Sequence, residues 1–126
     1  MKRIFTGLLI LGLLLAAGIG VAMRIEKIHS DISRLLEQAG AAAQAEQWAD
    51  ARRLTGEAEE KWQRSRHFTA GFADHTPMDE IDTTFGELQV YLSQEESPHF
   101  QATCARLSAL TQAMADSHNV QWWNIL

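Results

Sequence analysis

His67, Asp74, His75, Asp79, Glu80 and Asp82 form the one cluster in the chain whose residue types could hold a metal ion. Two imidazoles and four carboxylates in such proximity raise the question of a cation site. The usual spacings are absent: there is no H-E-x-x-H, no cysteine pair, and Pro77 separates His75 from the acids that follow. Helix initiation accounts for the same residues more simply. Thr76 reads as an N-cap, Pro77 as the first helical residue, and Asp79 as the reciprocal acid of a capping box. Asp79, Glu80 and Asp82 then crowd the first turns, where the helix dipole favours negative charge. His75 reads as a turn residue that hydrogen-bonds locally. The expectation is that no metal and no cofactor is bound here.

Other chemistry finds little support. Cys104 is the single cysteine, so no intrachain disulfide forms, and it falls on an apolar stripe between Phe100 and Leu107, where a cysteine behaves as a small hydrophobe. No G-x-S-x-G elbow and no glycine-rich phosphate loop is present. The expectation is a protein that is not an enzyme.

The elements that position these residues begin with the membrane end. From Ile4 to Met23, Thr6 is the only residue with a polar side chain. Twenty residues at 1.5 Å each span about 30 Å, the thickness of a bilayer's hydrocarbon core. Lys2 and Arg3 precede the segment; Arg24, Glu26 and Lys27 follow it. Its length favours a retained signal-anchor over a cleaved signal, whose apolar core is shorter. The flanking charge predicts an N-terminus inside the cytoplasmic membrane and residues 24–126 outside it. Residues 1–23 are thus read as a transmembrane anchor and 24–126 as one extracytoplasmic helical domain.

Beyond Met23 lie all 16 acidic residues and nine of the 11 basic ones. The charge divides unevenly. Residues 24–73 balance eight acids with eight bases, whereas 74–126 hold eight acids and only Arg106. Such a surface repels phosphate backbones, so nucleic acid is not an expected partner.

Apolar residues then recur at helical spacing in four stretches. Ile25, Ile28, Ile32, Leu35 and Ala39 form a stripe ending near Gln44. Trp48, Ala51, Thr55, Ala58 and Trp62 share one face of a second helix, with Leu54 beside it and a solvated face containing the Glu57–Lys61 pair. Met78, Ile81, Phe85, Leu88 and Leu92 make the cleanest stripe of all. Ser97-Pro98 repeats the Thr76-Pro77 start signal, with Ser97 as N-cap, for a fourth helix carrying Phe100, Cys104, Leu107, Leu110 or Thr111, and Met114. There is no strand pattern. The fold class expected is all-α: a transmembrane helix followed by a small antiparallel bundle of three to four helices, with Trp62, Phe85 and Leu107 in one core. Trp122 and Trp123 have two readings, a tail returned to the bilayer interface, where tryptophan is enriched, or one folded onto the bundle.

Glu60-Lys61-Trp62, Asp74-His75, Glu80-Ile81-Asp82, Leu88, Tyr91-Leu92 and the final Asn124-Ile125-Leu126, behind a basic tip and one membrane helix, resemble the domain-of-unknown-function 4363 family of small bacterial proteins. The resemblance covers nearly the whole chain. It implies a membrane-anchored helical domain with no assigned activity and no established catalytic residues. The function expected is a membrane-tethered module that binds another protein, with a ligand or cation sensor built on the acidic C-terminal half as the alternative.

Overall fold

The computed structural model describes the backbone of residues 1–69 and 75–125 and the side chains of residues 1–67 and 76–116. Four helices account for nearly all of it: α1 (Lys2–Gln44), α2 (Trp48–Thr69), α3 (His75–Ser93) and α4 (Ser97–Ile125). Among the described residues there is no strand.

α1 is unbroken over 43 residues, about 65 Å at the helical rise. Its first half is exposed on all sides apart from partial cover at Gly18 and Ala22, and it is long and apolar enough to cross a membrane. Its second half is the central staff of the bundle. From His29 onward the face carrying Ile32, Leu35, Leu36, Ala39 and Ala43 is buried. α1 packs against both α2 and α4, α3 packs against α4, and of the contacting pairs α2 and α3 pack most sparsely. Small residues explain the close fit of α1 to α4. A Cβ placed on Gly40 would lie 3.7 Å from the Cβ of Cys104, an ordinary contact distance.

The core is a single cluster that contains Trp62, Phe85 and Leu107 together, as their stripes require. A polar ladder crosses α1 and α4 within it. Ser33 and Ser108 share a hydrogen bond of 2.5 Å, and Gln112 donates its amide to Ser33 Oγ at 3.0 Å. These links fix the antiparallel register, which Ser97 Oγ extends by donating to the carbonyl of Ala43 at 3.3 Å.

Both described turns follow one plan. After α1, Glu46 N–H donates to Ala43 O and Gln47 N–H to Ala42 O, at 3.0 and 2.8 Å. After α3, Glu95 N–H donates to Leu92 O and Glu96 N–H to Tyr91 O, at 3.2 and 3.1 Å. This is the Schellman arrangement, which needs one left-handed residue. Here that residue is glutamate both times, with φ of 58° at Glu46 and 51° at Glu95.

Three local expectations are corrected. α3 begins at His75, so Thr76 and Pro77 lie inside its first turn, and Asp79, Glu80 and Asp82 come after it. Proline is accommodated there because the first four N–H groups of a helix have no intrahelical acceptor. α4 is capped by Glu96 rather than Ser97: the Glu96 carboxylate accepts the His99 backbone N–H at 3.1 Å and contacts the His99 ring at 2.6 Å. Glu57 pairs with Arg53 at 3.0 Å instead of Lys61, since both positions are one turn away and the guanidinium meets a carboxylate in planar fashion.

Candidate functional site

Of the residues singled out by chemistry, Trp62, Asp79 and Asp82 meet at the end of the bundle that adjoins the apolar half of α1. Trp62 is the centre. The face of α2 that carries Ala51, Thr55 and Ala58 turns it fully inward, and its Nε1–H donates to Asp82 Oδ1 at 2.6 Å. Asp82 Oδ2 receives Arg66 at 3.0 Å, and the same guanidinium reaches Asp79 at 3.4 Å. Asp82 is therefore a clasp between α2 and α3, engaged through both oxygens. The seam continues away from Trp62: Gln89 donates to Glu59 at 2.8 Å, and Arg52 pairs with Glu95 at 2.8 Å. Side-chain bridges thus supplement helix packing along the most sparsely packed seam of the bundle.

Against Trp62 lies His29, 1% exposed, with ring centroids 6.4 Å apart and planes at 65°. His29 Nδ1–H donates to the carbonyl of Ile25 at 2.8 Å. Sequence reasoning passed over His29, although a legible signal existed. Positions 25, 28 and 32 are apolar, so position 29 falls on the same face and its imidazole must enter the core.

The other candidates disperse. Glu80 is exposed and offers its backbone carbonyl to Thr84 Oγ1 at 2.7 Å. His67 is exposed in the last turn of α2. Asp74 lies outside the described residues; His75 opens α3 and Trp122 and Trp123 lie on α4, but their side chains are outside them too. Among the described residues, no group of three or more His, Cys, Asp or Glu side chains is placed to hold a metal ion.

The acids of the C-terminal half are largely engaged. Besides Asp79 and Asp82, Glu87 meets Arg106 at 2.5 Å, Glu95 meets Arg52, and Glu96 caps α4. Exposed pairs of this kind contribute only about 0–1 kcal/mol each, but they consume the carboxylates that a cation would need. Cys104 is buried in the core, and burial pushes its thiol from its ordinary value of 9.0 up to about 12. A thiol so far from ionisation is a poor nucleophile.

The architecture defines a class: a four-helix bundle built on the second half of a helix whose first half has the length and composition of a membrane span. Within that class the family is shown. The model for the domain of unknown function DUF4363 matches residues 20–125, and the chain belongs to that family. No curated protein and no solved structure matches the chain.

Proposed function

We propose that this chain is a non-enzymatic, single-pass membrane protein whose N-terminus is cytoplasmic and whose bundle, outside the cytoplasmic membrane, binds another protein. The observation that carries this reading is the continuity of α1. One helix supplies both the apolar segment and the central staff of the bundle, so the bundle is held at a fixed height and angle to the bilayer. Rigid placement suits a module that offers a surface to a membrane neighbour. The rival cation sensor is disfavoured because Asp82, the acid central to it, already satisfies Trp62 and Arg66.

Val90 directs the test. Among the described residues it is the one large hydrophobic after Met23 that is strongly exposed, at 52%, and it lies on α3. A photocrosslinking residue at Val90, in native membranes, is expected to give a protein adduct that the same residue at Arg53 on α2 does not give. Absence of an adduct at Val90 removes the interaction reading.

A further inference from the structure

A groove of about 660 Å³ runs along the side of α1 where α2 ends, lined by Ala17, Gly20, Val21, Arg24, Ile25, Ile28, Lys61, Arg64 and Ser65. Its two ends differ in chemistry. Ala17, Gly20 and Val21 belong to the apolar segment and offer only hydrocarbon. Arg24 on α1 and Lys61 and Arg64 on α2 bring three cations to the other end, and no acid is among the lining residues. Arg64 is paired with Glu60 on the outer side of α2, yet its side chain stays 76% exposed. Arg24 and Lys61 are exposed and make no ion pair among the described residues.

We propose that this groove binds one anionic phospholipid, with the phosphate between Arg24, Lys61 and Arg64 and an acyl chain laid along Ala17, Gly20 and Val21. The inference rests on the membrane-anchor reading above. Its geometry suits the ligand. Ala17 to Arg24 is seven residues, about 10 Å along the axis, so the cations stand at headgroup height when Ala17 lies in hydrocarbon. Gly20 faces open space, since a Cβ there would meet no atom within 4 Å. A free phosphate compound would occupy the cationic end and leave the apolar end wet; a lipid fills both. Each basic side chain beside an anionic lipid surface favours association by about fivefold.

The full chain, purified in detergent with an equimolar mixture of phosphatidylglycerol and phosphatidylcholine, tests this by native mass spectrometry. Phosphatidylglycerol adducts are expected to exceed phosphatidylcholine adducts by about fivefold or more. Arg24→Gln/Lys61→Gln/Arg64→Gln should bring the ratio close to one, and Gly20→Leu, which fills the apolar end and leaves the cations, should deplete both adducts. Arg24, Lys61 and Arg64 are exposed, so thermal melts of the triple variant are expected to match those of the unaltered chain. Equal retention of the two lipids, or selectivity unchanged in both variants, overturns the site. An adduct of glycerol 3-phosphate as abundant as that of the lipid overturns the acyl-chain half of it. Carbonate extraction of native membranes separates the two readings. Release of the chain sinks the anchor and the lipid site together; retention without lipid selectivity sinks the site alone.

Discussion

Trp62 and Asp82 are joined by a 2.6 Å bond from indole Nε1 to carboxylate Oδ1, across the seam where α2 and α3 pack least. One side chain is fully buried and the other reaches water, so the bond ties the core to the charged surface of Arg66. Trp62→Ala is expected to destabilise the bundle by about 3–5 kcal/mol through the cavity it leaves. Trp62→Phe keeps most of the volume but deprives Asp82 of a donor, for a loss of about 1.5–3 kcal/mol. Chemical denaturation followed by circular dichroism ranks them. A Trp62→Phe variant as stable as the natural chain would mean that the hydrogen bond contributes nothing, and equal losses in the two variants would mean that the ring's packing adds nothing beyond it.

Asp79→Asn/Asp82→Asn addresses the sensor alternative. With both oxygens of Asp82 engaged and Asp79 on the same guanidinium, calorimetric titration of the full chain with Ca²⁺, Mg²⁺ or Zn²⁺ is expected to give no one-to-one isotherm in the micromolar range. Adjacent positions 79, 80 and 82 also point in different directions around a helix of 3.6 residues per turn. A stoichiometric isotherm that disappears in the double variant would restore the sensor.

The two left-handed glutamates predict a gain in stability. A side chain in this conformation costs about 1–2 kcal/mol, whereas glycine carries an extra entropic cost of about 0.5–1 kcal/mol. Glu46→Gly should therefore stabilise the bundle by roughly 0.5–1 kcal/mol. Glu95→Gly should gain less, because Glu95 also pairs with Arg52. Thermal melts of the two variants check the order.

Cys104 predicts a pH dependence. An unfolded chain releases the thiol proton near 9.0, while the folded chain keeps it to about 12. The cysteine's effect on stability is therefore absent below pH 9 and becomes a progressive loss between those two values. Comparing alkaline denaturation of the natural chain and Cys104→Ala isolates it: the variant should lose less stability over that range. A native thiol that reacts with a disulfide reagent at pH 8 as fast as an unfolded one would contradict its burial.

Orientation in the membrane has its own test. Gln94 is exposed in the turn after α3, so Gln94→Cys in a Cys104→Ala background offers one accessible thiol. A membrane-impermeant maleimide is expected to label it in intact cells. Labelling only after lysis would reverse the topology.

The apolar stripes were legible because helical periodicity is a local property. Met78, Ile81, Phe85, Leu88 and Leu92 repeat at three- and four-residue steps, and all five are buried. Helix boundaries were less so. Serine or threonine before proline is a strong start signal, yet Glu96 caps α4 one residue earlier and α3 opens ahead of Thr76. The site was legible in its residues and not in its partners. Asp82 was visible as an acid among acids, but Trp62 lies 20 positions away, and only the register of α2 against α3 brings them together. His29 and Ser33 were hidden by their own type: polar residues on an apolar stripe are heard as exceptions until a facing helix supplies the partner.

The unbroken course of α1 makes the molecule a lever. The helix is unbroken between Met23 and His29, so a roll of the apolar half is passed along the same rod toward Ile32 and Leu36 in the core. A single residue inserted in that interval turns one half against the other by about 100° and lifts it by about 1.5 Å. Arg24 would then swing away from Lys61 and Arg64, while the bundle itself could refold around an intact staff. The phase of this helix, and not merely its length, is what couples the two ends of the protein.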